Sequence, residues 1–131
     1  MPPKSIFKEY DIRGKYGKEI DKNAIEKIAK SLKKIFGEQP TLVVGRDARA
    51  SSPEIYRTIL KNMSYARFLK AGLITTPMMY FLVNAHNTDG GIMVTASHNP
   101  KEYNGLKIVS RHAIAISGKD IYKAVASQYA K

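Results

Sequence analysis

Gly90-Gly91-Ile92-Met93-Val94-Thr95-Ala96-Ser97-His98-Asn99-Pro100 decides how the rest of this chain is read. A short apolar run bounded by Asn87-Thr88-Asp89-Gly90 on one side and a polar turn cluster on the other reads as a buried central strand, Gly91 to Thr95. It then opens into a loop that carries one serine beside a histidine, an asparagine and a proline. Such a strand, covered on both faces, belongs in a layered α/β domain. Loops leaving the carboxyl ends of those strands are where functional groups gather.

Outward from this stretch, strand and helix patterns alternate. Residues 21–36 form an amphipathic pattern: Ala24, Ile25, Ile28, Ala29, Leu32, Ile35 and Phe36 recur at helical spacing, Asp21 can cap the start, and Gly37 ends it. Thr41 to Val44 is a short apolar strand ending at Gly45. The loop Gly45 to Ser52 opens a second helix, with Ser52 as N-cap, Pro53 at its first position and Ile55, Tyr56, Ile59, Leu60 and Met63 on its inner face. Residues 64–72 fit either a prolonged helix or a distorted edge strand, because Ala, Arg, Leu and Lys favour helix there. Leu73-Ile74-Thr75 is a strand candidate, and Thr76-Pro77 starts a helix to about Ala85. Leu106 to Val109 is a strand, and Ser117 starts a last helix to about Ala130. The alternation predicts one domain over 1–131. Its fold class is α/β, three layers α/β/α around a mostly parallel (mixed) sheet of about four strands.

Composition narrows the function classes. Over 131 residues there are 22 Lys and Arg against 11 Asp and Glu, a net charge of +11, and no cysteine. Disulfides and thiolate metal sites are excluded, and a reducing cytoplasmic setting fits. Met1-Pro2-Pro3-Lys4-Ser5 has no apolar core of a signal peptide. The longest apolar stretch, Pro77 to Val83, is far too short to span a bilayer, so no membrane role is expected. The positive charge suits anionic partners, and equally suits a solvated lysine-rich surface. Nucleic acid is disfavoured, because aromatic and basic residues are not interleaved and no reading motif occurs.

The Ser97 loop admits two readings by itself. His98 is a poor base for Ser97, since adjacent side chains on an extended backbone diverge, and the G-x-S-x-G elbow of a hydrolase is absent. Asn99-Pro100 can tighten a turn and offer backbone N–H groups to an anion, with Lys107 close behind; the same residues also suit a purely structural turn. Asp47, flanked by Arg46 and Arg49, reads as a loop brace through ion pairing.

Four segments read together shift the balance. Phe7-Lys8-Glu9-Tyr10-Asp11-Ile12-Arg13-Gly14, Gly45-Arg46-Asp47 with Arg49-x-Ser51-Ser52-Pro53, Thr95 to Pro100, and Asn104-Gly105-Leu106-Lys107 occur in that order, along with Gly90-Gly91 and Thr75-Thr76-Pro77. Together they resemble the N-terminal domain of the α-D-phosphohexomutases, the phosphomannomutase/phosphoglucomutase group, over essentially the whole chain. The resemblance implies an enzyme that interconverts hexose 1-phosphate and hexose 6-phosphate through a bisphosphate intermediate. By the same resemblance Ser97 is the phosphoserine, and its phosphate is one ligand of Mg²⁺. Arg13 matches the arginine near it, Lys107 the lysine that contacts the transferring phosphate, His98 the active-site histidine, and Asn99 a loop-forming partner. Hexose 1,6-bisphosphate is the implied activator and hexose phosphate the implied substrate.

The family's other three domains have no counterpart in these residues. There is no D-x-D-x-D run to complete a Mg²⁺ shell, and nothing to close over a sugar phosphate. The expectation is a phosphoserine domain without useful turnover alone. The alternative keeps the fold as a stand-alone phosphosugar-binding or interaction module. Apolar surface that would face a further domain favours a homo-oligomer or a partner chain.

Overall fold

The computed structural model describes residues 1–130. Five strands form one mixed sheet: β1 (Ile12–Lys15), β2 (Thr41–Arg46), β3 (Arg67–Leu73), β4 (Gly90–Val94) and β5 (Tyr103–Ser110). Their spatial order is β1-β5-β4-β2-β3. The β2–β3 and β2–β4 pairings are parallel, whereas β4–β5 and β1–β5 are antiparallel. The helices are α1 (Lys22–Ser31), α2 (Lys33–Phe36), α3 (Ser52–Asn62), α4 (Thr76–Ala85) and α5 (Gly118–Tyr129).

Strand alternation assigns the layers. Leu42, Val44, Ile92, Val94, Leu106 and Ile108 point to one face, where they pack with Ile25 and Ile28 of α1, Ile55 and Ile59 of α3, and Ile121 and Val125 of α5. Val43, Met93 and Val109 point to the other face and meet Met79 and Val83 of α4. The three-layer α/β/α reading therefore holds, with five strands in place of about four and with the parallel and antiparallel pairings equal in number.

Two local readings are corrected. Residues 67–73 are strand β3, so the strand lies ahead of the 73–75 candidate and the helical option for 64–72 is excluded. Their helix-favouring side chains matter less than the vacant edge of β2, whose ladder runs from Thr41↔Arg67 to Arg46↔Leu73. The 21–36 helix is divided into α1 and α2 around Leu32, and Gly37 ends it at φ +80°. The start of α3 is also one residue early: Ser51 is its N-cap and Ser52 is inside it.

The connections locate the site. From β2 the chain crosses over α3 to β3 on one side, then over α4 on the opposite face to β4 on the other side. The carboxyl ends of β2 and β4 thus flank the point where the winding reverses, the place where doubly wound sheets bind ligands. The backbone N–H of Asp47 joins these two ends by donating to the Val94 carbonyl at 3.0 Å.

β1 contains a single large apolar residue, Ile12, and owes its existence to pairing with β5, opposite Leu106. That pairing depends on Gly105. A Cβ there would lie 1.8 Å from the Ile12 carbonyl oxygen. Gly105→Ala is therefore expected to destabilise the domain by about 3 kcal/mol or more, read as a lower urea midpoint.

Two phenols add a pH dependence. Tyr16, which donates to the Glu54 carboxylate, is pushed up to about 12, first by burial and then by that carboxylate. Tyr65, which donates to the Ala29 carbonyl at 2.6 Å, is raised by burial as well. The folded chain thus holds these protons more tightly than the unfolded chain, where tyrosine titrates near about pH 10. Their contribution to stability is complete below that pH and is lost as pH rises through 12. Urea midpoints measured across this range should fall, and less steeply in Tyr16→Phe.

Candidate functional site

Asp47, at the carboxyl end of β2, starts the construction of the site. Its Oδ1 accepts from the backbone N–H of Arg49 at 3.1 Å and from Ser52 Oγ at 2.5 Å. Its Oδ2 accepts from Arg49 Nε at 3.2 Å. The loop-bracing reading of Asp47 and Arg49 is therefore correct. Arg46 differs: its Nη1 donates to the Asp47 backbone carbonyl, not to the carboxylate.

With its Nε held by Asp47, Arg49 turns the remaining edge of its guanidinium toward the loop after β4. Nη1 donates to the carbonyls of Pro100 at 2.7 Å and Tyr103 at 3.0 Å. Nη2 donates to those of Ser97 at 2.9 Å and Asn99 at 2.8 Å. A planar fork with five N–H donors can make such a set, which an ammonium cannot reproduce. Asn104, fully buried, ties the same loops from below. Its Nδ2 donates to Ser51 Oγ at 2.7 Å and Ser52 Oγ at 3.0 Å, and its Oδ1 accepts from the Gly105 N–H. The Arg-x-Ser-Ser-Pro and Asn-Gly motifs thus meet in one network.

Ser97 stands at the surface of this loop, exposed, and no side-chain hydrogen bond involves its hydroxyl among the described residues. His98 is exposed beside it and likewise makes no side-chain hydrogen bond there.

A second cluster lies on β1 and β5. Arg13 is opposite Gly105, and Lys107 is opposite Met93, so both side chains leave the sheet on the α4 face. The antiparallel return of β5 brings Lys107 back beside β4. Asp11, only 5% exposed, gathers the two cations: Oδ1 accepts from Arg13 Nε at 3.0 Å and Oδ2 from Lys107 Nζ at 3.3 Å. Arg13 Nη1 then donates to Asn99 Oδ1 at 2.7 Å, linking this cluster to the serine loop. Arg13, Asn99, Lys8, Gly14, Glu19 and Tyr103 line an open cleft of about 450 Å³.

The structure therefore joins Arg13 to Lys107 through Asp11 and to Asn99 directly, and attaches Ser97 to them through its loop. Asp11 was not singled out in the sequence. Its signal is the i, i+2 spacing from Arg13, which sets both on one face of an extended segment. The long reach of Arg49 was also missed.

These residues do not by themselves make a Mg²⁺ site. No group of three metal-ligating side chains occurs among the described residues, and the nearby carboxylates of Asp11 and Asp47 are engaged by cations.

Comparison with known proteins gives the family. The family described as "Phosphoglucomutase/phosphomannomutase, alpha/beta/alpha domain I" matches residues 4–131. The chain belongs to the phosphoglucomutase/phosphomannomutase family. It is 39% identical over 125 residues to a phosphomannomutase of Methanocaldococcus jannaschii, covering 95% of this chain and 27% of that protein. It is 40% identical over 123 residues to a phosphomannomutase of Escherichia coli, covering 90% of this chain and 26% of that one. A crystal structure of a family protein from Burkholderia thailandensis superposes with a TM-score of 0.83 at 32% identity, covering 97% of this chain and 31% of that chain. The chain thus spans about a quarter of the length of the curated relatives it matches. Among the described residues no helix is long and apolar enough to cross a membrane.

Asp11 holds two part-exposed cations from a nearly buried position, so removing its charge deprives both of their ion-pair partner. Asp11→Asn is expected to destabilise the domain by about 2 kcal/mol, measured by urea unfolding.

Proposed function

We propose that this domain carries the phosphoserine of a phosphohexomutase, with Ser97 as the phosphoryl carrier. The observation that carries the reading is the exposed Ser97 hydroxyl on a braced loop joined through Asn99 to Arg13, and through Asp11 to Lys107. The substrate class is a hexose monophosphate, in keeping with the names of the relatives.

In the forward step a sugar hydroxyl oxygen bonds to phosphorus as the phosphorus–Oγ bond of phosphorylated Ser97 breaks. The sugar hydroxyl loses its proton and Ser97 Oγ gains one. Return of the other phosphate from the bisphosphate reverses each change. Phosphoryl transfer asks mainly for positioning and positive charge, and Arg13 and Lys107 supply two cations at this edge. Lys107 is suited to assist the proton. Exposed His98 is free to turn toward a ligand.

Mg²⁺ would offset charge on the phosphoryl oxygens, with phosphorylated Ser97 as one oxygen ligand. The remaining ligands, and the groups that read the sugar, are not among these residues. The chain by itself is therefore expected to be inactive in turnover, and to act as a phosphosugar-binding module at most.

Incubation with hexose 1,6-bisphosphate and Mg²⁺, followed by intact mass and site mapping, tests the carrier role. One phosphate on Ser97, lost in Ser97→Ala, is expected, with no conversion of hexose 1-phosphate to hexose 6-phosphate. A phosphate confined to another residue, or none, would overturn the assignment of Ser97 as a carrier able to react from this domain.

A further inference from the structure

Ser97 adopts φ +56°, in the left-handed region that costs an L-residue with a side chain. The Asn99 N–H donates to the Ala96 carbonyl at 3.1 Å, so residues 96–99 form a turn with Ser97 second and His98 third. Only the second of these has positive φ, the pattern of a type II′ turn, whose second position is normally glycine. A serine there is under strain, and such strain persists only where surrounding contacts over-determine the backbone.

Those contacts converge on one side chain. Both amino groups of Arg49 bind carbonyls of this loop, including those of Ser97 itself and of Asn99, which ends the turn. Pro100 and Tyr103 carbonyls complete the set, and Asp47 fixes the guanidinium from behind. From the other end, the Ser97 N–H donates to Thr95 Oγ1 at 3.0 Å. The clamp touches only the carbonyl side of the loop and leaves the Ser97 hydroxyl outside it.

We infer that Arg49 is a positioning residue: its fork of carbonyl contacts holds Ser97 in the left-handed conformation and so sets the direction of its hydroxyl. The functional part of this inference rests on the carrier role proposed above, and the conformational part stands without it. Arg49 does not touch the reacting atoms. It converts a strained serine into a fixed one, which a general loop brace would not do.

The test uses this chain unliganded, with Ser97→Gly as the probe of strain. In the Arg49 background, glycine relieves the left-handed cost and should raise the folding equilibrium constant about twofold to fivefold, after its greater unfolded freedom is subtracted. In Arg49→Lys or Arg49→Ala the loop can relax, and the same change should give no gain. Arg49→Lys keeps the charge and guards against a variant that fails to fold. The intraresidue amide–Hα nuclear Overhauser effect of Ser97, strong at positive φ, should weaken in Arg49→Lys. An undiminished gain from glycine without Arg49, together with an unchanged Overhauser effect, would overturn the inference. Neither measurement involves phosphate. Failure of the clamp therefore appears here, and failure of the carrier role appears in the site mapping.

Discussion

Four backbone carbonyls from one loop accept from a single guanidinium, and the geometry of the site follows from that convergence. Carbonyl oxygens at a strand's carboxyl end repel one another when they point inward. One delocalised cation with a planar fork removes that conflict. Asp47 makes the arrangement possible by occupying Nε, so that the two terminal nitrogens face the loop. Asp47 is itself held by the backbone bond to Val94, which runs between the carboxyl ends of β2 and β4. The brace is thus continuous with the sheet.

The mixed sheet divides the work between its halves. Its parallel half, β3-β2-β4, creates the reversal of winding and opens the two loops that Arg49 joins. Its antiparallel half, β4-β5-β1, returns the chain so that Lys107 and Arg13 leave the same face of adjacent strands. A fully parallel sheet would send each strand's end to the same side with a helix between them, and these two cations would not meet across one carboxylate. Gly105 is the steric condition for this half, since a side chain there collides with the β1 backbone.

Legibility in the sequence followed the range of the interactions. The strand expected at Gly91 to Thr95, the helix beginning at Thr76-Pro77, and the last helix starting at Ser117 rest on local patterns and match β4, α4 and α5 to within a residue at their starts. β1 did not announce itself, because Ile12-Arg13-Gly14-Lys15 has no alternating apolar face and is stabilised by an edge it meets only in the fold. β3 contradicted its own helix propensity for the same reason. At the site, Asp47 with Arg49 was visible as neighbours two residues apart. The carbonyls that Arg49 binds lie about fifty positions away, and no residue type marks a carbonyl as an acceptor. Asp11 lies within the 7–14 motif, where only its spacing from Arg13 marks it.

Asp11 also explains how two neighbouring cations stay ordered. Arg13 and Lys107 repel one another, and in a chain of charge +11 few neighbours offset this. A buried carboxylate between them holds both side chains in place. Under the carrier role proposed above, an incoming phosphoryl group would bring more negative charge than the carboxylate and could share both cations without displacing them. Positive charge would then be prepared where charge appears, and less reorganisation would remain for the moment of transfer. The same carboxylate sets a limit, for every hydrogen bond the cations give to Asp11 is one they do not give to the ligand. On that proposal, an edge that is ordered but only partly available suits a phosphoryl group that arrives and leaves in each cycle.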